Sequence, residues 1–133
     1  MIKKILIALA IVLVLIQFIR PAKNDAGGVV YSMPAGYNVP PEVNVILKPA
    51  GLDCHSNVTH YPWYSNIQPA AWFLANHVKE GKEHLNFSEF TNRRIAYQHH
   101  KFEEIVEMVK EKEMPLPSYT WFGLHPDAKL TDA

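Results

Sequence analysis

The chain contains one cysteine, Cys54. An internal disulfide is therefore impossible, and with it the cross-linked scaffold of a small secreted domain. Charge of one sign is also missing, since 13 Lys and Arg balance 13 Asp and Glu. No basic surplus points to nucleic acid, and no acidic tail points to a solvating disordered segment. Internal repeats and low-complexity tracts are absent. No segment alternates apolar and polar residues long enough to argue for a strand. The 133 residues suffice for one domain of ordinary size.

Apolar residues make up 48% of the chain, many of them near its start. Lys3 and Lys4 precede an apolar run from Ile5 to Ile19 that only Gln17 interrupts. A helix of that length spans roughly 22 Å against roughly 30 Å of hydrocarbon core. Ile2 and a snorkelling Arg20 extend it. A signal-peptide core has a similar length, but Phe18, Arg20 and Pro21 stand where a cleavage site needs small residues. No cysteine stands at its end, which excludes lipoprotein processing. The run has no polar face, which argues against a buried globular helix. The expectation is an uncleaved signal anchor and transmembrane helix over residues 1–21. Lys3 and Lys4 stay inside, and the rest lies outside the cytoplasm, in the periplasm. An odd thiol in that oxidising compartment needs an explanation.

Residues 22–40 carry Gly27, Gly28, Pro34, Gly36 and Pro40 and read as a linker. The folded domain is expected over 41–133. Pro41 suits a first helical turn, and Val43, Ile46 and Leu47 share a face, with Pro49 and Gly51 ending the helix. A second helix follows Pro69, with Gly81 as its expected C′ residue. "LNFSEF" opens the longest helix, with Asn86 or Ser88 as N-cap, and Phe102, Ile105, Val106 and Val109 form its apolar stripe. Pro115 and Pro117 break it, and the remainder reads mostly as loop. The fold class is all-α. Thr131, Asp132 and Ala133 read as the cap and first turn of a further helix, so the domain is expected to lack its C-terminal helix.

The chemistry lies in "AGLDCHSNVTHYPWY". Cys54 directly precedes His55, the end of a Cys-x-x-Cys-His haem attachment signature. Gly51 occupies the place of the first cysteine. A neutral histidine ligates haem iron, and a methionine from a distant loop often completes the coordination. Met114, held between Glu113 and Pro115, is a candidate for that second position. As ordinary structure, Cys54 would be a small buried hydrophobe, His55 a loop histidine bonded to backbone, and Met114 a gap-filling core residue.

The strings "DCHSN", "YPWY", "NIQP" and "LNFSEF", with "EMPLPSY", "HPDAKLT" and "IQFIRP", closely resemble the haem-binding domain family of exported, membrane-anchored bacterial proteins. The resemblance covers nearly the whole chain. It implies a small helical domain like a c-type cytochrome, with His55 as proximal ligand and Cys54 as the second attachment cysteine. Gly51 replaces the first. The implied cofactor is haem, c-type through a single thioether or bound non-covalently.

Other histidines are weaker candidates. His77 and His125 are alternative distal ligands. His99 and His100 point roughly 100° apart on a helix and do not chelate one ion well. No zinc-type spacing occurs. No nucleophile–base pair is present, so no enzymatic turnover is expected. The expected role is one-electron transfer or haem sensing, with a redox partner protein, a membrane anchor and no nucleic acid. The alternative is a haem-free periplasmic interaction module that keeps the fold.

Overall fold

The structure is a computed structural model that describes residues 1–28 and 32–131. Six α-helices occur among them: α1 (Ile2–Ile16), α2 (Met33–Gly36), α3 (Pro41–Leu47), α4 (Ala70–His84), α5 (Ile95–Lys110) and α6 (Pro117–Thr120). No strand forms among the described residues; Asp25 and Val58 make an isolated antiparallel bridge. The all-α expectation holds.

α3 starts at Pro41 as expected, because proline at the first position loses no hydrogen bond. It does not end at Pro49. The helix widens into a π-helical turn over Lys48–Leu52. Pro49 has no N–H for an ordinary helical bond, and the wider turn carries the chain past it. The N–H groups of Cys54 and His55 both reach Gly51 O, at 3.3 and 2.9 Å. Cys54 and His55 therefore form the turn that closes a helical rod running from Pro41 to Leu52.

Two other boundaries differ from expectation. α4 continues through Gly81 to His84. Asn86 does act as a cap, accepting the Ser88 N–H at 3.0 Å, but of a short 3-10 turn over Phe87–Glu89. The long helix α5 begins only at Ile95. The turn lets Phe87 and Phe90 both face inward, and Phe90 is 0% exposed. Around them pack Met33, Leu85, Leu47, Leu52, Phe102 and Ile105. Phe90 and Phe102 meet at 5.0 Å, and Tyr37 meets Phe102 edge-on at 5.2 Å.

Residues 17–28 do not hang free. Gln17 exchanges amide bonds with Gln68: Gln68 N–H donates to Gln17 Oε1 at 2.9 Å, and Gln17 Nε2 donates to Gln68 O at 3.3 Å. Ile19 O accepts from Gln68 Nε2 (2.7 Å) and Trp72 Nε1 (3.0 Å). Asn24 donates to Ser56 O and Thr59 Oγ1 and accepts from Lys82 Nζ. Further on, Met33 lies in the core and Tyr37 O–H donates to Gln98. Within the stretch read as a linker, Asn24, Met33 and Tyr37 thus make contacts with the domain. The glycines and prolines of that stretch gave no sign of this, because the partners lie far along the chain.

The helix expected to span a membrane over residues 1–21 ends at Ile16. No helix among the described residues is long and apolar enough to cross a membrane. At the end of α1 the Gln17 side chain bonds both back to Leu13 O, at 2.9 Å, and across to Gln68. None of the residues of α1 is buried. The expected helix start at Asp132 and Ala133 lies outside the described residues.

Candidate functional site

His55 stands where the rod from Pro41 meets the end of α4. Its Nδ1 lies 2.8 Å from Gly81 O and 3.1 Å from Leu85 O. A carbonyl oxygen can only accept, so Nδ1 carries the proton and Nε2 keeps its lone pair. That is the tautomer an iron ligand needs, and carbonyls behind a ligating ring also raise its basicity. The two acceptors lie at the C-terminal end of α4, where partial negative charge collects, and Gly81 O also accepts the Leu85 N–H at 2.9 Å. The backbone is held too, since His55 O accepts the Phe87 N–H at 2.7 Å. The ring meets Phe87 edge-on at 6.2 Å.

Burial pushes the His55 imidazolium pKa down, and the bonds to Leu85 O and Gly81 O oppose this only in part. The ring is therefore neutral at physiological pH. Burial acts first on Cys54 as well, joined by the nearby Asp53 charge, and pushes the thiol up to about 11. Cys54 is half-buried and carries its proton.

Gly81 makes this junction close. A Cβ there would lie 2.9 Å from Cys54 O and 3.4 Å from Cys54 Cβ. Its presence, read in the sequence as a helix stop, is explained by this contact. Gly51 lies one turn before Cys54. A Cβ at 51 would meet Leu47 Cδ1 at 3.1 Å and Phe87 Cε2 at 3.5 Å. Residues 51 and 54 are three apart on a helical turn, so they share a face beside the ring that contacts His55.

On its other side Cys54 faces a polar aromatic group that sequence reasoning missed in part. Asp53 accepts the His60 N–H and the Tyr119 O–H, both at 3.1 Å. Tyr119 stacks on His125 at 3.8 Å, and His125 Nε2 is hydrogen-bonded to Tyr64 O–H. Burial raises the Asp53 carboxyl and both phenols and lowers His125. Tyr64 stands in the "YPWY" string that carries the resemblance. Asp53 and Tyr119 drew no notice, although each sits inside a string that carries the resemblance, "DCHSN" and "EMPLPSY".

The other candidates are placed as follows. Met114 is half-buried in the turn after α5, its N–H on Met108 O at 3.1 Å. His125, weighed as a distal ligand, has its Nε2 occupied by Tyr64. His77 bonds Phe73 O at 2.9 Å and stacks on that ring. His99 and His100 pair with Glu103 and Glu104 on the exposed side of α5. Among the described residues no group of three or more His, Cys, Asp or Glu could hold a metal ion. A metal held by side chains alone has no site there. Haem is a different case, because the porphyrin supplies the equatorial nitrogens and the protein supplies axial ligands. The fixed tautomer of His55 and the adjoining protonated thiol of Cys54 fit that group.

Neither a curated protein nor a solved structure matches the chain. Residues 11–133 match the sequence model of the haem-binding domain family. That match starts inside α1 and takes in the docked segment 17–28, Gly51, Cys54, His55, the Asp53 and Tyr119 pair and Met114. The matched model covers most of the chain, so the chain belongs to the haem-binding domain family, and haem is its cofactor.

Proposed function

We propose that this protein is a haem-binding redox or sensory protein held at the outer face of a bacterial cell membrane by α1. His55 Nε2 is the proximal iron ligand, Cys54 provides a single thioether, and Met114 is the sixth ligand. The observation that carries the reading is the double anchoring of His55 Nδ1 on Gly81 O and Leu85 O. The anchoring leaves Nε2 as the ring nitrogen with a free lone pair, the atom that ligates iron.

Bound haem supplies a one-electron couple that no side chain in this chain can provide. The chain's own residues do the rest. Gly81 O and Leu85 O orient the imidazole, and Phe87 covers its edge. Cys54, which keeps its proton, would hold haem by adding its S–H across a vinyl group, with sulfur and hydrogen both retained and nothing leaving. Tyr119, Asp53, His125 and Tyr64 close the opposite side. The function is electron transfer or sensing, with a protein redox partner.

The test is expression with a cytochrome c maturation system, followed by denaturing electrophoresis and optical spectra. Haem that stays with the denatured chain and is released in Cys54→Ala supports the thioether. Haem seen only under native conditions means ligation without attachment. In His55→Ala the low-spin spectrum is expected to vanish. If the parent protein takes up no haem under either condition, the reading fails and a haem-free interaction module replaces it. An unchanged spectrum in Met114→Ala removes Met114 from iron.

A further inference from the structure

We propose that the junction between α1 and α4 is a seat on the lipid bilayer, so that the domain sits rigidly on the membrane surface instead of swinging on a tether. This rests on the anchoring of α1 proposed above. Four hydrogen bonds make the junction: two between Gln17 and Gln68, and two from Gln68 Nε2 and Trp72 Nε1 to Ile19 O. They occupy backbone carbonyl and amide groups at the point where the chain leaves the helix. In a bilayer interface such groups are costly if left without partners.

Apolar side chains flank the junction. Phe18 is 81% exposed and Phe73 56%, and Ile19, Ile67 and Trp72 are exposed as well. Trp72 has the character of an interfacial anchor, with an apolar ring and an N–H already bonded. Lipid fits this surface better than a protein groove does. A groove takes one face of a helix, whereas α1 is apolar all round and buries no residue. The cations stand where headgroups would be, Lys3 and Lys4 at one end and Arg20 at the other. The seat also addresses the shortness of α1. Its 15 residues span roughly 22 Å, less than the roughly 30 Å core. Apolar residues of the domain that follow the helix into the interface reduce that mismatch.

A consequence follows for the haem site. α4 runs from the seat at Trp72 to Gly81, the residue whose carbonyl holds His55. Those nine helical steps hold the site roughly 13 Å along the axis from the seat.

The experiment uses the full chain in vesicles of phosphatidylethanolamine and phosphatidylglycerol, with Trp72 as the only tryptophan (Trp63→Phe and Trp121→Phe). Flotation reports the anchor; Trp72 fluorescence reports the seat. The expected result is flotation, a blue-shifted Trp72 emission, strong quenching by brominated lipids and weak quenching by acrylamide. Adding Gln17→Ala should keep flotation and reduce the brominated-lipid quenching. Flotation with Trp72 open to acrylamide and untouched by brominated lipid overturns the seat and leaves the anchor standing. No flotation overturns the anchor and the seat with it. Protection of Trp72 in detergent that grows with protein concentration overturns the seat in favour of a second copy of the chain. Equal quenching with and without Gln17→Ala overturns the part assigned to the hydrogen-bonded junction.

Discussion

Cys54 and His55 are neighbours, and burial favours the uncharged form of both. For His55 this keeps the lone pair available to iron at lower pH than an exposed histidine would allow. It also has a stability consequence. The folded pKa lies below the ordinary 6.5, so between the two values the unfolded chain binds the proton and the folded chain does not. Stability is therefore full above 6.5 and declines as pH falls through that value toward the folded pKa. His125 is shifted the same way and adds to the slope. Melting temperatures of haem-free protein should stay level from about pH 8 down to about pH 6.5 and fall from there to about pH 5.5. His55→Gln, which keeps a donor and does not titrate, should flatten the profile; an unchanged slope would remove His55 from it. Gly51 gives a second prediction. In Gly51→Cys the new Cβ presses on the tip of Leu47, 3.1 Å away, a flexible side chain that can give. The variant should fold and gain a second thioether. Its pyridine haemochrome band should then move to shorter wavelength, as one vinyl group fewer remains.

At the scale of elements, the site is a clamp between the Cys54–His55 turn that closes the rod and the last turns of α4. Gly81 is the point of contact. Replacing an interior helical glycine with alanine ordinarily stabilises a helix by about 1 kcal/mol. Here the added carbon would lie 2.9 Å from the backbone oxygen of Cys54, which cannot rotate away. Gly81→Ala is expected to destabilise instead, by about 1–3 kcal/mol. Because Gly81 O also holds His55 Nδ1, haem should dissociate faster in a Cys54→Ala background, where no covalent link masks the rate. Urea denaturation and haem transfer to apomyoglobin measure the two effects. A Gly81→Ala protein as stable as the parent would mean that Cys54 does not pack there.

At the scale of the molecule, one buried amide unites the N-terminal segment with the domain. Gln68 is 3% exposed and bonds Gln17, Ile19 and the Trp72 N–H. Gln68→Ala should lower stability by about 2–3 kcal/mol, since it leaves buried groups without partners. The change should appear in the urea midpoint, and residues 17–28 should lose protection from hydrogen exchange first. The core gives the comparison. Phe90 is fully buried between Phe87 and Phe102, and Phe90→Ala should cost about 3–5 kcal/mol. A loss confined to the core variant would mean that segment 17–28 is only loosely attached. The family match beginning at residue 11 agrees with the structural finding that the domain begins before Pro41.

The sequence by itself determined what local chemistry can determine. The helical class, the start of α3 at a proline and the inward Phe102 and Ile105 of α5 are written within a turn or two of chain, whereas Val106 and Val109, read as part of the same stripe, are exposed. The Cys54–His55 pair and the gap at Gly51 are equally plain. Three elements were not legible. The helix past Pro49 depended on a π-helical turn, the late start of α5 on two phenylalanines competing for one core, and the passage of α4 through Gly81 on the Cys54 carbonyl. The strings around Gln17 and Gln68 were visible, but not that they bond each other across 51 positions. Only the tertiary structure decided which nitrogen of His55 stays free. The acceptors that choose the tautomer come from 26 and 30 residues away, and such a distance leaves no periodic trace in a sequence.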